Sequence, residues 1–346
     1  MTGSAINLEL WRPVVAFGLL LLIAVGVSAA LVALTRPYLA RYVLAAPNQR
    51  SSHRVATPQG GGIAVIAAVV VAVAIAFALI LDLAASARTL GILIAATLGL
   101  AIVGVSDDIR PLAATPRLIL QGLAVAVVIA ILPEGMRVLP FMPWWVEAAL
   151  MLIAGVWLVN LVNFMDGIDW MTVGEVVPVT AGLLIAAALG ALSPEGTVVA
   201  AALCGAMLGF APFNKPVAKI FLGDVGSLPI GLLLFWLLLL LAGNGFLAAA
   251  LLLPLYYVAD TTITLIRRFR AGEQVTQAHR SHFYQRALDG GLPVDAIIAR
   301  VAILNVSLIV LATTTILFPS LETDAIALVA GVALVGMRLY RFERSA

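Results

Sequence analysis

The feature that most constrains this chain is a succession of uncharged apolar runs, each near the length needed to cross a bilayer. A spanning helix takes about 20 predominantly apolar residues. Runs of that order occur at 14–34, 62–81, 90–105, 117–132, 144–162, 176–192, 197–213, 228–243, 246–266, 297–318 and 325–340. In lipid, backbone groups must bond within a helix or around a closed barrel, and none of these runs alternates like a barrel strand. The sequence therefore predicts an all-α, polytopic transmembrane helix bundle of about 11 spans. With 63% hydrophobic and 11% charged residues, a soluble fold is excluded. No linker or shift in composition divides 1–346, which reads as a single membrane domain. The leader MTGSAINLELWRP lacks a basic start and precedes a run too long for a signal peptide, so the first run is expected to remain as a span. The single Cys204 reads as a small buried thiol.

Charge orients the bundle. With eleven spans the connections alternate between two sides, and only Arg12, Arg88 and Arg137 fall on one of them. The other side carries the remaining seventeen of the 20 Lys and Arg. The basic side is expected to be cytoplasmic, which puts the N-terminus in the periplasm and the C-terminus in the cytoplasm. The same side holds the segments PNQRSSHRVATPQGGG, SDDIRPLAATPR, NLVNFMDGIDWMTVGE, FNKPVAKIFLGDVGS and RRFRAGEQVTQAHRSHFYQRALDGG, with all three histidines. A transporter is expected to keep polar groups near the bilayer midplane. Polar groups gathered at one end suit an enzyme that takes one substrate from water and another from the membrane.

Five constellations carry chemistry. Asp107 and Asp108 are adjacent carboxylates, which repel unless a cation is close and which serve catalysis as a base and a cation partner. A solvated helix end is the plainer alternative. Asn160, Asn163, Asp166 and Asp169 recur every third residue. They sweep a broad face if the helix continues, or form a loop of convergent oxygens if Gly167 breaks it. In FLGDVGSLPIG, Gly223 and Gly226 allow close backbone approach, while Ser227 and Pro229 suit a helix start whose free amides would face phosphate. Asp224 would repel that phosphate, so it implies a bridging cation, and Mg²⁺ fits an oxygen site completed by phosphates. Thr57, Pro58 and Gly60–Gly62 open the second span, where exposed amides with Ser51, Ser52, His53 and Arg54 form a second anion site. In AHRSHFYQR, the arginines disfavour a metal pair and make phosphate holding the better role for His279, Arg280, His282 and Arg286. Arg267, Arg268 and Arg270 read as a membrane anchor. Asp260, inside the ninth run, needs a buried partner that the sequence does not name.

The motifs RSSHxxxTPxGGG, DD, NxxNxxDGID and FxGDxGS, followed by the His-rich last cytoplasmic loop, lie in this order over nearly the whole chain. In them the sequence resembles the polyprenyl-phosphate N-acetylhexosamine-1-phosphate transferases, often grouped as glycosyltransferase family 4. AHRSHFYQR looks most like the bacterial branch that initiates O-antigen and other surface polysaccharides. The resemblance implies transfer of N-acetylhexosamine 1-phosphate from a UDP-N-acetylhexosamine to undecaprenyl phosphate, with release of UMP. It implies Mg²⁺ (Mn²⁺ as substitute) as cofactor, and a site facing the cytoplasm at the bacterial inner membrane. Its partners are then the two substrates and the lipid bilayer, with no nucleic acid, and family members can form homodimers. The resemblance makes Asp224 the metal ligand with Asn163 a second, Asp107 the base and Asp108 its essential neighbour. Asp166 and Asp169 complete the catalytic carboxylates and, with Asn160, Asn163 and Asn214, match the nucleotide or amino-sugar pocket. His279, Arg280 and His282 match the phosphate-holding loop, and Ser52, His53, Thr57 and Lys219 are further substrate-binding candidates. Trp170 stands where the family usually has Gly, which bears on the shape of the pocket. A transporter of a lipid-linked or nucleotide sugar, and a scaffold with relic motifs, are the rival readings.

Overall fold

The apolar runs fold as helices in the computed structural model, which describes residues 8–42, 44–45, 56–80, 83–274 and 279–345. Ser51, Ser52, His53 and Arg54 lie outside the described residues. In chain order the helices are α1 (Leu8–Tyr42), α2 (Gly62–Ile75), α3 (Ala87–Ile109), α4 (Ala114–Ala130), α5 (Trp144–Met165), α6 (Met171–Ala188) and α7 (Pro194–Asn214). They continue as α8 (Asp224–Gly243), α9 (Leu247–Leu252), α10 (Leu255–Arg270), α11 (Phe283–Asp289), α12 (Val294–Leu317) and α13 (Leu321–Glu343). A two-residue antiparallel pair, β1 (Leu44–Ala45) with β2 (Thr57–Pro58), brackets the connection from α1 to α2. The protein is thus an all-α, multi-pass membrane protein. Among the described residues eight helices are long and apolar enough to cross a bilayer, and α2 and α4 are shorter apolar helices.

The ninth expected run is not one helix. It stops at Leu252 and restarts at Leu255, because Pro254 has no N–H and its ring clashes with the carbonyl four residues earlier. A restart leaves the first amides of α10 without intrahelical partners. Glu175 of α6, fully buried, turns its carboxylate toward the amide of Tyr257 there, and Asn305 of α12 donates to it at 2.7 Å. Sequence reading passed over this buried acid. At the opposite end of the bundle another buried acid, Glu147 of α5, pairs with Arg137 and accepts the amides of Val138 (2.6 Å) and Leu139 (3.0 Å).

Helix α8 is the axis of the bundle. Its most apolar 18-residue stretch is wholly buried, as expected of a helix that is hydrophobic on every side. Helices α2, α3, α5 and α9 pack around it, and α1 lies against α7. The α1–α7 seam is closed by small residues: a Cβ on Gly205 would lie 2.2 Å from the carbonyl oxygen of Leu21, and Ser28 donates to the carbonyl of Ala206 at 2.7 Å.

The tightest packing surrounds the first turn of α8. A Cβ on Gly62 would fall 2.3 Å from the backbone of Gly226, and one on Gly104 would fall 2.3 Å from the carbonyl oxygen of Asp224. A Cβ on Gly99, one turn earlier in α3, meets nothing within 4 Å. Gly104→Ala is therefore expected to cost about 1–3 kcal/mol through overpacking. Gly99→Ala is expected to be neutral or stabilising by a few tenths of a kcal/mol up to about 1. Thermal unfolding of the detergent-solubilised variants checks the pair; equal melting temperatures would remove the close approach of α3 to α8.

Candidate active site

The first turn of α8 begins where Gly223, at φ 77°, turns the chain in a conformation that suits glycine. The amides of Asp224 and Val225 would be orphans there, and Asp108 at the end of α3 takes both, at 2.9 and 3.1 Å. Its Oδ1 also accepts from the side chain of Gln59 at 2.6 Å. The macrodipole disfavours an anion at the C-terminus of α3, but the N-terminus of α8 supplies the opposite pole. Asp107, its neighbour, accepts the amide of Leu112 at 2.6 Å and Arg117 Nη1 at 2.8 Å. Its carboxyl also lies within hydrogen-bonding reach of that of Asp224. Asn163, at the end of α5, donates its amide to Asp224 Oδ1 at 2.7 Å and to Ser227 at 2.9 Å. Arg117 Nη1 stands 4.0 Å from Asp224 Oδ2. Three carboxylates thus meet with one guanidinium, an excess of negative charge that favours a cation.

Asp224 and Asn163 open into a polar cavity of about 180 Å³ that Gln59, Asp166, Asp169 and Asn214 also line. Helix α5 ends at Met165, so the helix breaks before Gly167: Asn160 and Asn163 stay on α5, while Asp166 and Asp169 lie in the turn beyond it. Asp166 accepts from Thr172 at 2.5 Å; burial pushes its carboxyl up to about 6, with the negative charges of Asp108 and Asp169 adding to the shift. Asp169 accepts the amide of Ala218 at 2.9 Å, which ties this turn to the loop before α8. Trp170 tightens the same seam. It is the single non-glycine residue with positive φ (62°) among the described residues. That left-handed conformation costs an ordinary residue roughly 1–2 kcal/mol. Two bonds hold it: its amide donates to Asn214 Oδ1 at 3.0 Å and its indole to the carbonyl of Ala211 at 2.7 Å. Asn214 passes the restraint on by donating to the carbonyl of Ile220 at 3.0 Å.

Beside the carboxylate junction runs an apolar groove of about 440 Å³, walled by Leu118, Ile153, Val156 and Trp157. Arg117 and Asn160 are its polar residues. Asn160 thus departs from the expected pocket. It lies one turn before Asn163 inside α5, where it donates to Gln121 (2.6 Å) and to the carbonyl of Val156 (2.8 Å). Arg117, which sequence reading counted only as a basic loop residue, joins groove to carboxylates. No spacing in the sequence signals this, because α4 folds back onto α3 only in the tertiary structure.

At two expected anion sites the described helix-start amides are engaged within the protein. Helix α8 starts three residues before Ser227, and its first amides are taken by Asp108 rather than left for phosphate. The amides of Gly61 and Gly62 donate to the carbonyls of Phe221 and Leu222, each at 2.8 Å, so this glycine run serves backbone packing. Thr57 is buried in β2, and Lys219 is exposed on the loop before α8. His279 and His282 approach with ring centroids 4.9 Å apart, and Arg280 pairs with Asp289 at 2.8 Å. Their loop meets the DGID turn: a Cβ on Gly167 would lie 2.2 Å from Tyr284 Oη and 2.9 Å from Gln285 Nε2. Asp260, whose partner the sequence left unnamed, pairs with His282.

Comparison with known proteins matches residues 89–242 to the family model described as glycosyl transferase family 4. The chain is also 30% identical over 326 residues to the decaprenyl-phosphate N-acetylglucosaminephosphotransferase of Mycolicibacterium smegmatis, covering 84% of this chain and 79% of that one. The chain belongs to the polyprenyl-phosphate N-acetylhexosamine-1-phosphate transferases. A second member of this family, the probable undecaprenyl-phosphate N-acetylglucosaminyl 1-phosphate transferase of Bacillus subtilis, is 27% identical over 260 residues, covering 71% of this chain and 70% of its own. The phospho-N-acetylmuramoyl-pentapeptide-transferase of Aquifex aeolicus is 30% identical over 168 residues, 44% of this chain and 46% of its own. The matched segment carries Asp107, Asp108, Arg117, Asn163, Asp166 and Asp224, the residues of the carboxylate junction and the cavity beside it.

Asp166 yields a pH prediction for this transferase. Its folded carboxyl titrates at about 6, above its ordinary value of 3.8. Between those values the folded protein keeps a proton that the unfolded chain has released, so stability falls as pH rises through this window. At 1.36 kcal/mol per unit the full effect is roughly 3 kcal/mol, and solvent on the open wall of the cavity reduces it to about 1–2. Asp166→Asn is expected to raise the melting temperature at pH 7–8, with the difference vanishing below about pH 4. A pH-independent difference would show that Asp166 is not held in a desolvated site.

Proposed function

We propose that the protein transfers N-acetylhexosamine 1-phosphate from a UDP-sugar to undecaprenyl or a related polyprenyl phosphate, releasing UMP, on the cytoplasmic face of a bacterial inner membrane. One observation carries this reading: the Asp107–Asp224–Arg117 junction lies between a polar cavity and an apolar groove. The cavity suits a nucleotide sugar and the groove a prenyl chain, so the two phosphates would meet at the junction. The names of the Mycolicibacterium and Bacillus relatives pair an N-acetylglucosamine phosphate with decaprenyl and undecaprenyl phosphate.

Arg117 has the central part in this scheme. It lines the groove and now neutralises Asp107. A lipid phosphate entering the groove competes for the guanidinium, and Asp107 is then free to accept a proton from a monoanionic phosphate. A dianionic phosphate is already a usable nucleophile, so positioning carries most of the rate enhancement.

The donor set fits Mg²⁺, or Mn²⁺ in its place, because Asp224 and Asp107 crowd together with too little positive charge to balance them. Among the described residues no group of three or more His, Cys, Asp or Glu could hold a metal alone. That suits an ion bound by one or two carboxylates, water and substrate phosphates. Asp224 would hold it. Asn163 presents its NH₂ to Asp224, and so orients that carboxylate rather than offering an oxygen. When bound, the ion would neutralise charge on the diphosphate. The expected role is the first step of lipid-linked glycan synthesis, for O-antigen, another surface polysaccharide or the cell wall.

Replacing Asp224 or Asp107 with Asn is expected to slow UMP release from UDP-N-acetylhexosamine and undecaprenyl phosphate by about 10²–10⁴-fold. EDTA is expected to stop release, and Mg²⁺ to restore it. Unchanged turnover in both variants would end this assignment. Labelling of a cysteine placed at Lys219 from the periplasmic side alone would overturn the orientation.

A further inference from the structure

Asp260 is fully buried (0% exposed) on α10, in a fold with little water to solvate it. An isolated carboxylate there would be strongly destabilising. Four donors satisfy it. His282 Nδ1 lies at 3.0 Å, the amide of Phe283 at 3.1 Å and Thr264 Oγ1 at 3.3 Å, all on Oδ1; Tyr256 donates to Oδ2 at 3.4 Å. Where the Asp260 carboxylate accepts these bonds, it is met by an Nδ1–H of His282. The ring itself is held: His282 is 2% exposed, stacked on Tyr284 with centroids 5.8 Å apart, and next to His279.

The same short helix reaches the cavity. Tyr284 and Gln285 of α11 press on Gly167 in the turn that carries Asp166 and Asp169. A bond to Asp260 at the start of α11 therefore governs both the orientation of His282 and the seating of α11 against the cavity wall.

We infer that Asp260 is a positioning residue for the transfer reaction, fixing the tautomer and orientation of His282 and through it the last loop of the site. The inference rests on the transferase reading for its kinetic consequence, and on the Asp260–His282 geometry alone for its spectroscopic one.

The chain has three histidines, so protein labelled with ¹⁵N-histidine shows three imidazoles, and His282→Gln assigns the one in question. The low-field Nδ1–H resonance of a carboxylate-bound ring is expected from His282, and it should move upfield in Asp260→Asn, a variant of nearly the same shape. Asp260→Asn is expected to lower UMP release on the order of tenfold or more, as the loss of an orienting carboxylate does at other imidazoles. On a His282→Gln background the same change is expected to have less than about a twofold effect, because residues acting through one another are non-additive. Equal losses on both backgrounds, no loss at all in folded Asp260→Asn, or an unmoved His282 resonance would each overturn the inference. If UMP release is absent from the wild-type protein as well, the transferase reading fails, and the resonance alone decides the pairing.

Discussion

The bond between Asp108 and the first two amides of α8 is the contact on which the site depends. Helix α8 is buried along its most apolar stretch, so the amides of its first turn are best satisfied by a partner within the protein. Asp108 supplies it, and in doing so draws the end of α3 onto the start of α8. That approach requires Gly104 and Gly62, where any Cβ would strike backbone. It also sets Asp107 and Asp224 face to face. The chemistry of the junction follows from a structural requirement, the satisfaction of a buried helix end.

Around this junction the turn between α5 and α6 is stitched to the loop before α8 by Asp169, Trp170 and Asn214. The arrangement separates two roles that the motif had merged. Asp169 and Asn214 are engaged with backbone and hold the wall of the cavity, whereas Asp166 keeps one oxygen on Thr172 and an elevated titration point. Trp170 explains how this chain tolerates an aromatic residue where a glycine is usual: its indole and amide bonds offset the strain of a left-handed backbone.

Much of the fold was legible because hydrophobic run length and helix length are set by the same bilayer thickness. Every expected run contains a helix, and the Pro254 break in the ninth follows from a residue visible in the sequence. The acidic motifs were legible too, since carboxylates and amides at the ends of apolar helices are costly without a use. The glycines had a packing use that the sequence did not signal. Gly60–Gly62 and Gly226 looked like ligand-binding backbone, but Gly61, Gly62 and Gly226 permit contact between chain segments more than 150 residues apart. The partners of Arg117, Gln59 and Glu175 carried no signal, because a single polar residue near an apolar run has no periodicity to betray what it meets.

By itself, the sequence determined that this chain enters a membrane as a helical bundle and that its chemical groups collect at one end of it. These are properties of composition and local order, and they hold for any packing of the helices. Only the tertiary structure decided which carboxylate caps α8, which faces Arg117, and that a buried Asp260 meets His282. Those pairings join residues between 10 and 117 positions apart. Their partners are chosen by which helices can approach closely, and no local pattern along the chain records that choice.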